Sequence, residues 1–250
     1  MASGCYGWSM TYQGRLTGLA RWPVKSLRGE PVAAARLDGR GLGGDRTHAL
    51  IDQRPLRAGN LLTVRQAPRM LAWTASYPDA PDDDLDPASP PLAVVRSPDG
   101  GSWRWDDPGL VAALRADLGV DLALRRDLAG QQDLERSVLV TFEASRRSAE
   151  ASLGRPLEIR RFRTNLHLEL DAPAFAEEGL EGRRLRVGEV ELELLHPCER
   201  CAIPTWDPDR HQRWPELLTW LHQEHQGLFG INARALAPGR VAVGDPVTVR

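Results

Sequence analysis

Short apolar segments follow one another so closely in this chain, with Gly, Pro or Asp between them, that a β-rich fold is the natural outcome. Residues 11–23 (TYQGRLTGLARWP), 47–52 (THALID), 70–77 (MLAWTASY), 121–126 and 137–142 read as strands. Residues 92–97 and 102–106 read as a hairpin around Pro98, Asp99 and Gly100. In 165–170, Leu166, Leu168 and Leu170 alternate with His167 and Glu169; 185–195 alternates likewise, with a tight turn at Gly188 and Glu189. Residues 240–250 supply two strands about Gly244, Asp245 and Pro246. Only three stretches carry helical spacing. Pro108–Leu118 has Leu110, Leu114 and Leu118 on one face and Gly119 as its stop. Residues 143–153 end at Gly154, and 215–225 turn Leu217, Leu218, Leu221 and Trp220 inward. The fold class is mainly β (α+β in detail), an antiparallel barrel with helical excursions. There are no internal repeats. The Asp- and Pro-rich stretch 79–91 reads as a solvated loop.

At 250 residues the chain can hide roughly 70% of its surface, enough for a real core. No run of ~18 apolar residues is present, so no membrane helix is expected. The segment MASGCYGWSM lacks the basic and apolar regions of a secretory signal. A formal net charge of −2 gives no case for nucleic acid or an anionic membrane as partner. The cysteines are Cys5, Cys198 and Cys201; an odd count without a signal points to a reducing compartment, hence a cytoplasmic location. Of 32 basic residues, all but Lys25 are arginine.

Cys198-Glu199-Arg200-Cys201 is the first candidate for chemistry. Zinc would need two more ligands, for which His222 and His225 are offered at an unusual spacing. A redox dithiol normally sits at a helix N-terminus, and Ala202–Pro208 is turn material. One thiolate, activated by Arg200, could ligate a soft transition metal or a metal cofactor. An inert buried pair is the remaining reading. The second candidate is a set of cations. Lys25-Ser26 follows Pro23, Arg46 ends the turn Gly41-Leu42-Gly43-Gly44-Asp45-Arg46, and Arg160, Arg161 and Arg163 precede Asn165. Such turns and side chains suit an anion; on these residues alone, a site of the pyridoxal phosphate type stays open. There is no dinucleotide fingerprint, P-loop or G-x-S-x-G elbow. The eight tryptophans are scattered and read as packing, and Glu177-Glu178 reads as polar surface.

Taken in order, these motifs resemble a known family. WPVKSLRGEPV (22–32), GLGGDRTHALID (41–52) and VRQAPRM (64–70) are similar to the N-terminal β-barrel segment of proteins related to the C-terminal domain of molybdenum cofactor sulfurase, the MOSC family. RFRTNLHLEL (161–170), AEEGLEGRRLRVGEVEL (176–192), CERCAIPTWDP (198–208), FG (229–230) and PGRVAVGDPVTV (238–249) resemble the MOSC domain itself, with an architecture like the amidoxime-reducing branch. The resemblance implies an N-terminal MOSC-associated domain at 14–127 and a MOSC domain at 128–250. It implies a molybdenum cofactor, with Mo held by a pterin dithiolene and by Cys201. Lys25, Ser26 and Arg46 would contact the pterin or its phosphate, while Arg163, Asn165 and Arg200 line it. The implied activity is reduction of N-hydroxylated compounds (amidoximes, hydroxylamines, hydroxylaminopurines) with electrons from a separate ferredoxin- or flavoprotein-type donor. Two alternatives accompany it: a sulfur- or molybdopterin-carrier module using Cys201, and a cofactor-free MOSC domain. The chain departs from the family pattern at Thr164, where Arg-Pro-Asn is common, and at Glu135-Arg136, where Thr-Ser is expected.

Overall fold

The computed structural model describes residues 11–80, 85–128, 136–209 and 212–250. Cys5, the Asp82–Asp84 part of the acidic loop, Glu135 and His211 lie outside them. Strands dominate, with three α-helices: α1 (Pro108–Leu118), α2 (Glu143–Leu153) and α3 (Pro215–His225). All three stand where the leucine spacing and the Pro and Gly punctuation place them. Asp107 caps α1 by accepting the Gly109 N–H at 2.8 Å, and Gly119 ends it in the left-handed conformation.

The main sheet closes on itself. Its order runs Leu166–Leu170, Val138–Phe142, Leu228–Ala235, Val190–Glu199, Arg184–Val187, Pro246–Val249 and Tyr12–Arg21, and the last strand pairs back onto the first. This makes a seven-stranded barrel. The expectation of an antiparallel barrel needs one correction: Val138–Phe142 and Leu166–Leu170 run parallel. A crossover containing α2 joins them, as a parallel pair requires. Gly14 permits the closure, since a Cβ there would lie 1.8 Å from the Glu169 carbonyl oxygen. The interior is aliphatic, with Leu16, Val140, Leu168, Leu192, Ile231 and Val247 essentially inaccessible to solvent.

The two strands expected in 240–250 both form, but not with each other. Gly239–Ala242 pairs with Ala34–Asp38, while Pro246–Val249 joins the barrel. The N-terminal half builds a second core from two short sheets around Trp73, Met70, Leu50 and Leu122. Residues 70–77 are not one strand: a 3₁₀ turn at Pro68–Ala72 precedes Thr74–Ser76, because Pro68 starts the turn and its apolar run packs as a corner. A third cluster, with Phe162 stacked on Phe229 at 3.8 Å, packs beneath α3. Among the described residues, no helix is long and apolar enough to cross a membrane.

Glu177 overturns its surface reading. It sits in a 3₁₀ turn, fully buried, with its carboxyl accepting from Ser145 Oγ at 2.7 Å. Burial pushes it up to about 7, outweighing the Ser145 hydrogen bond. The unfolded carboxyl, near 4.5, ionises first, so stability falls as pH rises from about 4.5 to about 7 and is level above. At about 1.4 kcal/mol per pH unit, the cost at pH 8 is about 3 kcal/mol. Glu177→Gln is expected to flatten this slope and to gain most on the parent at pH 8. Denaturant unfolding at pH 5 and pH 8 checks it, and an identical difference at both pH values refutes the burial argument.

Candidate functional site

The site grows from the loop that leaves the Tyr12–Arg21 strand. Trp22 is its junction. The Trp22 N–H donates to Asp45 Oδ1 at 2.6 Å and its indole Nε1 to the Thr164 carbonyl at 3.1 Å. The Arg163 guanidinium lies over its ring at 4.4 Å from the centroid. One residue thus ties together the loops 22–28, 41–46 and 162–165, which are far apart in sequence. Lys25 follows, partly exposed, with its N–H on the His48 carbonyl at 2.9 Å. Ser26 is buried with φ 70°.

Arg46 and Asn165 form the floor. The Arg46 guanidinium donates to the buried Asp45 carboxylate, to Asn165 Oδ1 at 3.3 Å and to the Arg163 carbonyl at 3.4 Å. Asn165 Oδ1 also accepts the Leu139 N–H at 3.0 Å, and Nδ2 donates to the Ala20 carbonyl at 3.1 Å. Both lone pairs of that amide oxygen are therefore spent on the fold. Arg163 donates to the Leu27 carbonyl at 2.5 Å, which draws the Lys25–Ser26 loop onto the same floor. Thr164 suits its place despite the departure. Its hydroxyl lies 2.9 Å from Thr141 Oγ1 and 3.2 Å from the carbonyls of Leu139 and Leu166. Arg136 is exposed at the mouth of the Val138–Phe142 strand.

The fourth wall comes from the end of the Val190–Glu199 strand. Arg200 is buried; its N–H donates to the Gly227 carbonyl at 2.8 Å and its Nη2 to the Phe162 carbonyl at 2.7 Å. Its Nη1 reaches Cys198 Sγ at 3.0 Å, so of the two sulfurs it is Cys198 that Arg200 holds. Cys198 and Cys201 are both free thiols and partly exposed. Zinc finds no support: among the described residues no group of three or more His, Cys, Asp or Glu could hold a metal ion. His225 is occupied by Glu178 Oε1 at 2.8 Å and by the Phe175 ring.

Two observations mark this as more than a packed corner. Five non-glycine residues among those described have positive φ, and three of them are Ser26, Arg46 and Arg163. Backbone strain of this kind collects where a ligand or mechanism demands it. The second is that Arg161 Nε and Arg200 Nε are buried without a hydrogen-bond partner. Such groups fit an oxygen- and nitrogen-rich anionic ligand, and the thiols fit a soft metal. Lys25, Ser26, Arg46, Arg163, Asn165 and Arg200 are thus linked around Trp22, and Cys201 follows directly. Asp45, Thr164 and Arg161 also shape the site. Asp45 was readable only as part of a Gly-rich turn, and nothing in its spacing indicates burial.

Beside the site lies a cavity of about 220 Å³, to which Trp22, Arg28, Arg161, Arg163, Ile203 and Trp206 contribute. Arg161 is only 4% exposed and pairs with Asp207 at 2.9 Å. Burial lowers its affinity for its proton, with Asp207 acting against.

Residues 119–248 match the MOSC domain model, and 13–91 match the MOSC N-terminal beta barrel domain. The chain belongs to the MOSC family. This MOSC protein is 28% identical over 271 residues to molybdenum cofactor sulfurase from Drosophila grimshawi, covering 94% of this chain and 34% of the sulfurase. It therefore spans about a third of that relative. It is 26% identical over 288 residues to mitochondrial amidoxime-reducing component 1 from Homo sapiens, covering 94% of this chain and 82% of that protein. A crystal structure of the YuaD protein from Bacillus subtilis aligns over 96% of this chain and 97% of its own, with 13% identity and a TM-score of 0.46.

Proposed function

We propose that this MOSC protein binds a molybdenum cofactor and reduces N-hydroxylated compounds with electrons from a separate ferredoxin- or flavoprotein-type donor in the cytoplasm. The observation that carries the reading is the convergence of Lys25, Ser26, Arg46, Arg163, Asn165 and Arg200 around Trp22, with a free thiol at Cys201 alongside. Lys25 and the Ser26 turn would hold the cofactor's phosphate, Arg163 and Arg200 its pterin, and Cys201 its metal. Arg46 and Asn165 would serve chiefly by fixing the loops, since their polar atoms are engaged with the protein. When bound, the cofactor supplies the oxygen-accepting, two-electron chemistry; the protein supplies anchorage, orientation and charge. The reaction consumes R–NH–OH, two electrons and two protons, and releases R–NH₂ and water.

The partly exposed Cys201 thiol also favours a second reading, in which it carries sulfur to a partner. Elemental analysis and pterin fluorescence, on protein made in a cofactor-competent host, separate the two. Stoichiometric molybdenum, with turnover driven by reduced viologen but not by NADH alone, supports the reductase. Persulfide on Cys201 without molybdenum supports the carrier. Lys25→Ala is the clean probe of the anchor. Losing one charge-assisted bond of about 1.5–3 kcal/mol should lower cofactor retention roughly ten- to a hundredfold. Unchanged molybdenum content in a folded Lys25→Ala protein rules out that role.

A further inference from the structure

We propose that the cavity between Trp22 and Trp206 is a carboxylate-reading subsite, which selects single-ring substrates carrying one carboxylate remote from the reacting N–OH. The cavity is walled by both halves of the chain. Trp22, Leu71, Ile203 and Trp206 give it apolar, largely aromatic sides. At about 220 Å³ it is smaller than the ~300–1,000 Å³ of drug-sized pockets, which matches one ring and its substituents.

Its charged lining is lopsided. Arg28, Arg160, Arg161 and Arg163 face one carboxylate, Glu30, and Arg21 already binds that group at 2.6 Å. Two of these arginines are held in the same manner. The terminal nitrogens of Arg161 donate to the Pro204 carbonyl at 3.3 Å and to Asp207 at 2.9 Å. Those of Arg28 donate to the carbonyls of Pro208 and Ala72, both at 3.0 Å. In each, Nε is buried and has no hydrogen-bond partner. The protein thus clamps the outer edge of two guanidinium groups whose side chains line the cavity. Their positive charge, held in place beside apolar walls, favours an oxyanion in the cavity. Asp207 and Asp209 neutralise part of the cluster, at 2.9 Å from Arg161 and 3.2 Å from Arg28, so a monoanion fits better than a phosphate dianion.

Position gives the subsite its use. Ile203 and Trp206 follow Cys201 by two and five residues, so the cavity shares a loop with the thiol. Of the residues assigned to hold the cofactor, Arg163 alone lines it. A ring in the cavity would therefore lie between that loop and the arginine wall. Its role in choosing substrates rests on the reductase reading; its affinity for a carboxylate does not.

The test compares benzamidoxime with its para-carboxylate by calorimetry on the purified holoprotein, with turnover measured separately. The carboxylate is expected to bind about tenfold more tightly, the worth of one charge-assisted bond. Arg28→Gln, at the partly exposed edge, should bring the two affinities together; Arg161→Gln should do the same if that buried variant folds. Equal binding of the two compounds by the unmodified protein overturns the proposal, as does a preference that survives Arg28→Gln. Carboxylate binding that disappears as molybdenum content rises also overturns it, because the cofactor itself then fills the cavity. Selective binding without turnover of either compound leaves the subsite standing and removes the reductase reading.

Discussion

Cys201→Ala is expected to abolish reduction of N-hydroxylated substrates, while Cys198→Ala retains a substantial fraction of it. The two sulfurs sit in different surroundings. Cys198 is tied to Arg200 at 3.0 Å, and Arg200 in turn supports the Phe162 carbonyl directly before Arg163. Losing that sulfur costs Arg200 one acceptor, a net effect of about 1 kcal/mol. With Cys201 as the proposed metal ligand, its loss should cost more than the ~10–100-fold typical of groups one step removed from a metal. Molybdenum content and viologen-driven turnover of both variants check this. Zinc or dithiol chemistry would make the two substitutions equally harmful. Survival of Cys201→Ala with loss of Cys198→Ala would falsify the residue assignment.

Arg46→Ala should destabilise the whole protein by about 3–5 kcal/mol at pH 8, because it strands the Asp45 carboxylate without its ion pair. The loss should shrink toward pH 5. Burial already raises the Asp45 pKa, against Arg46, the Trp22 N–H and Arg163. Without Arg46 it rises further, so the penalty grows as pH climbs above the unfolded carboxyl range, and a protonated Asp45 avoids it. Pairing Arg46→Ala with Asp45→Asn should recover part of the stability. Denaturant unfolding at the two pH values measures this, and a loss below about 1 kcal/mol at pH 8 contradicts it. Loss of cofactor from an Arg46 variant would accordingly say little about direct contact, which is why Lys25 is the better probe.

The strands and helices were legible where local signals agree. Asp107-Pro108 and Gly119 bracket α1, and the alternation from 185 to 195 marks the hairpin at Gly188. Pairing was not legible. Nothing in Gly239–Ala242 announces that it leaves its neighbour for Ala34–Asp38, because strand partners are chosen by the packed core and not by the segment itself. The strand Leu228–Ala235 was not read from the sequence, where only Phe229-Gly230 stood out as part of the family resemblance, since Asn232 and Arg234 blur its apolar pattern. The candidate site was legible as residue types in motif order. Its internal wiring was not: how fully Asn165 is consumed depends on contacts across more than twenty residues of chain, and which cysteine Arg200 holds depends on the local turn that seats them. Glu177 misled for the same reason, as two adjacent acids look like surface until a turn buries one of them.

The closure of the barrel also sets a timetable for synthesis. The strand Tyr12–Arg21 pairs with Leu166–Leu170 and with Pro246–Val249, segments made much later, and only its last two residues find an early partner, in Glu30–Pro31. Residues 34–38 likewise wait for 239–242 before their sheet is complete. A ribosome that has released the first half has released strands whose partners do not yet exist. Such unpaired edges invite association with other nascent chains, and pairing this distant in sequence is slow. The same interlacing that makes Trp22 a meeting point for three remote loops therefore binds the maturation of the site to the last strand to emerge.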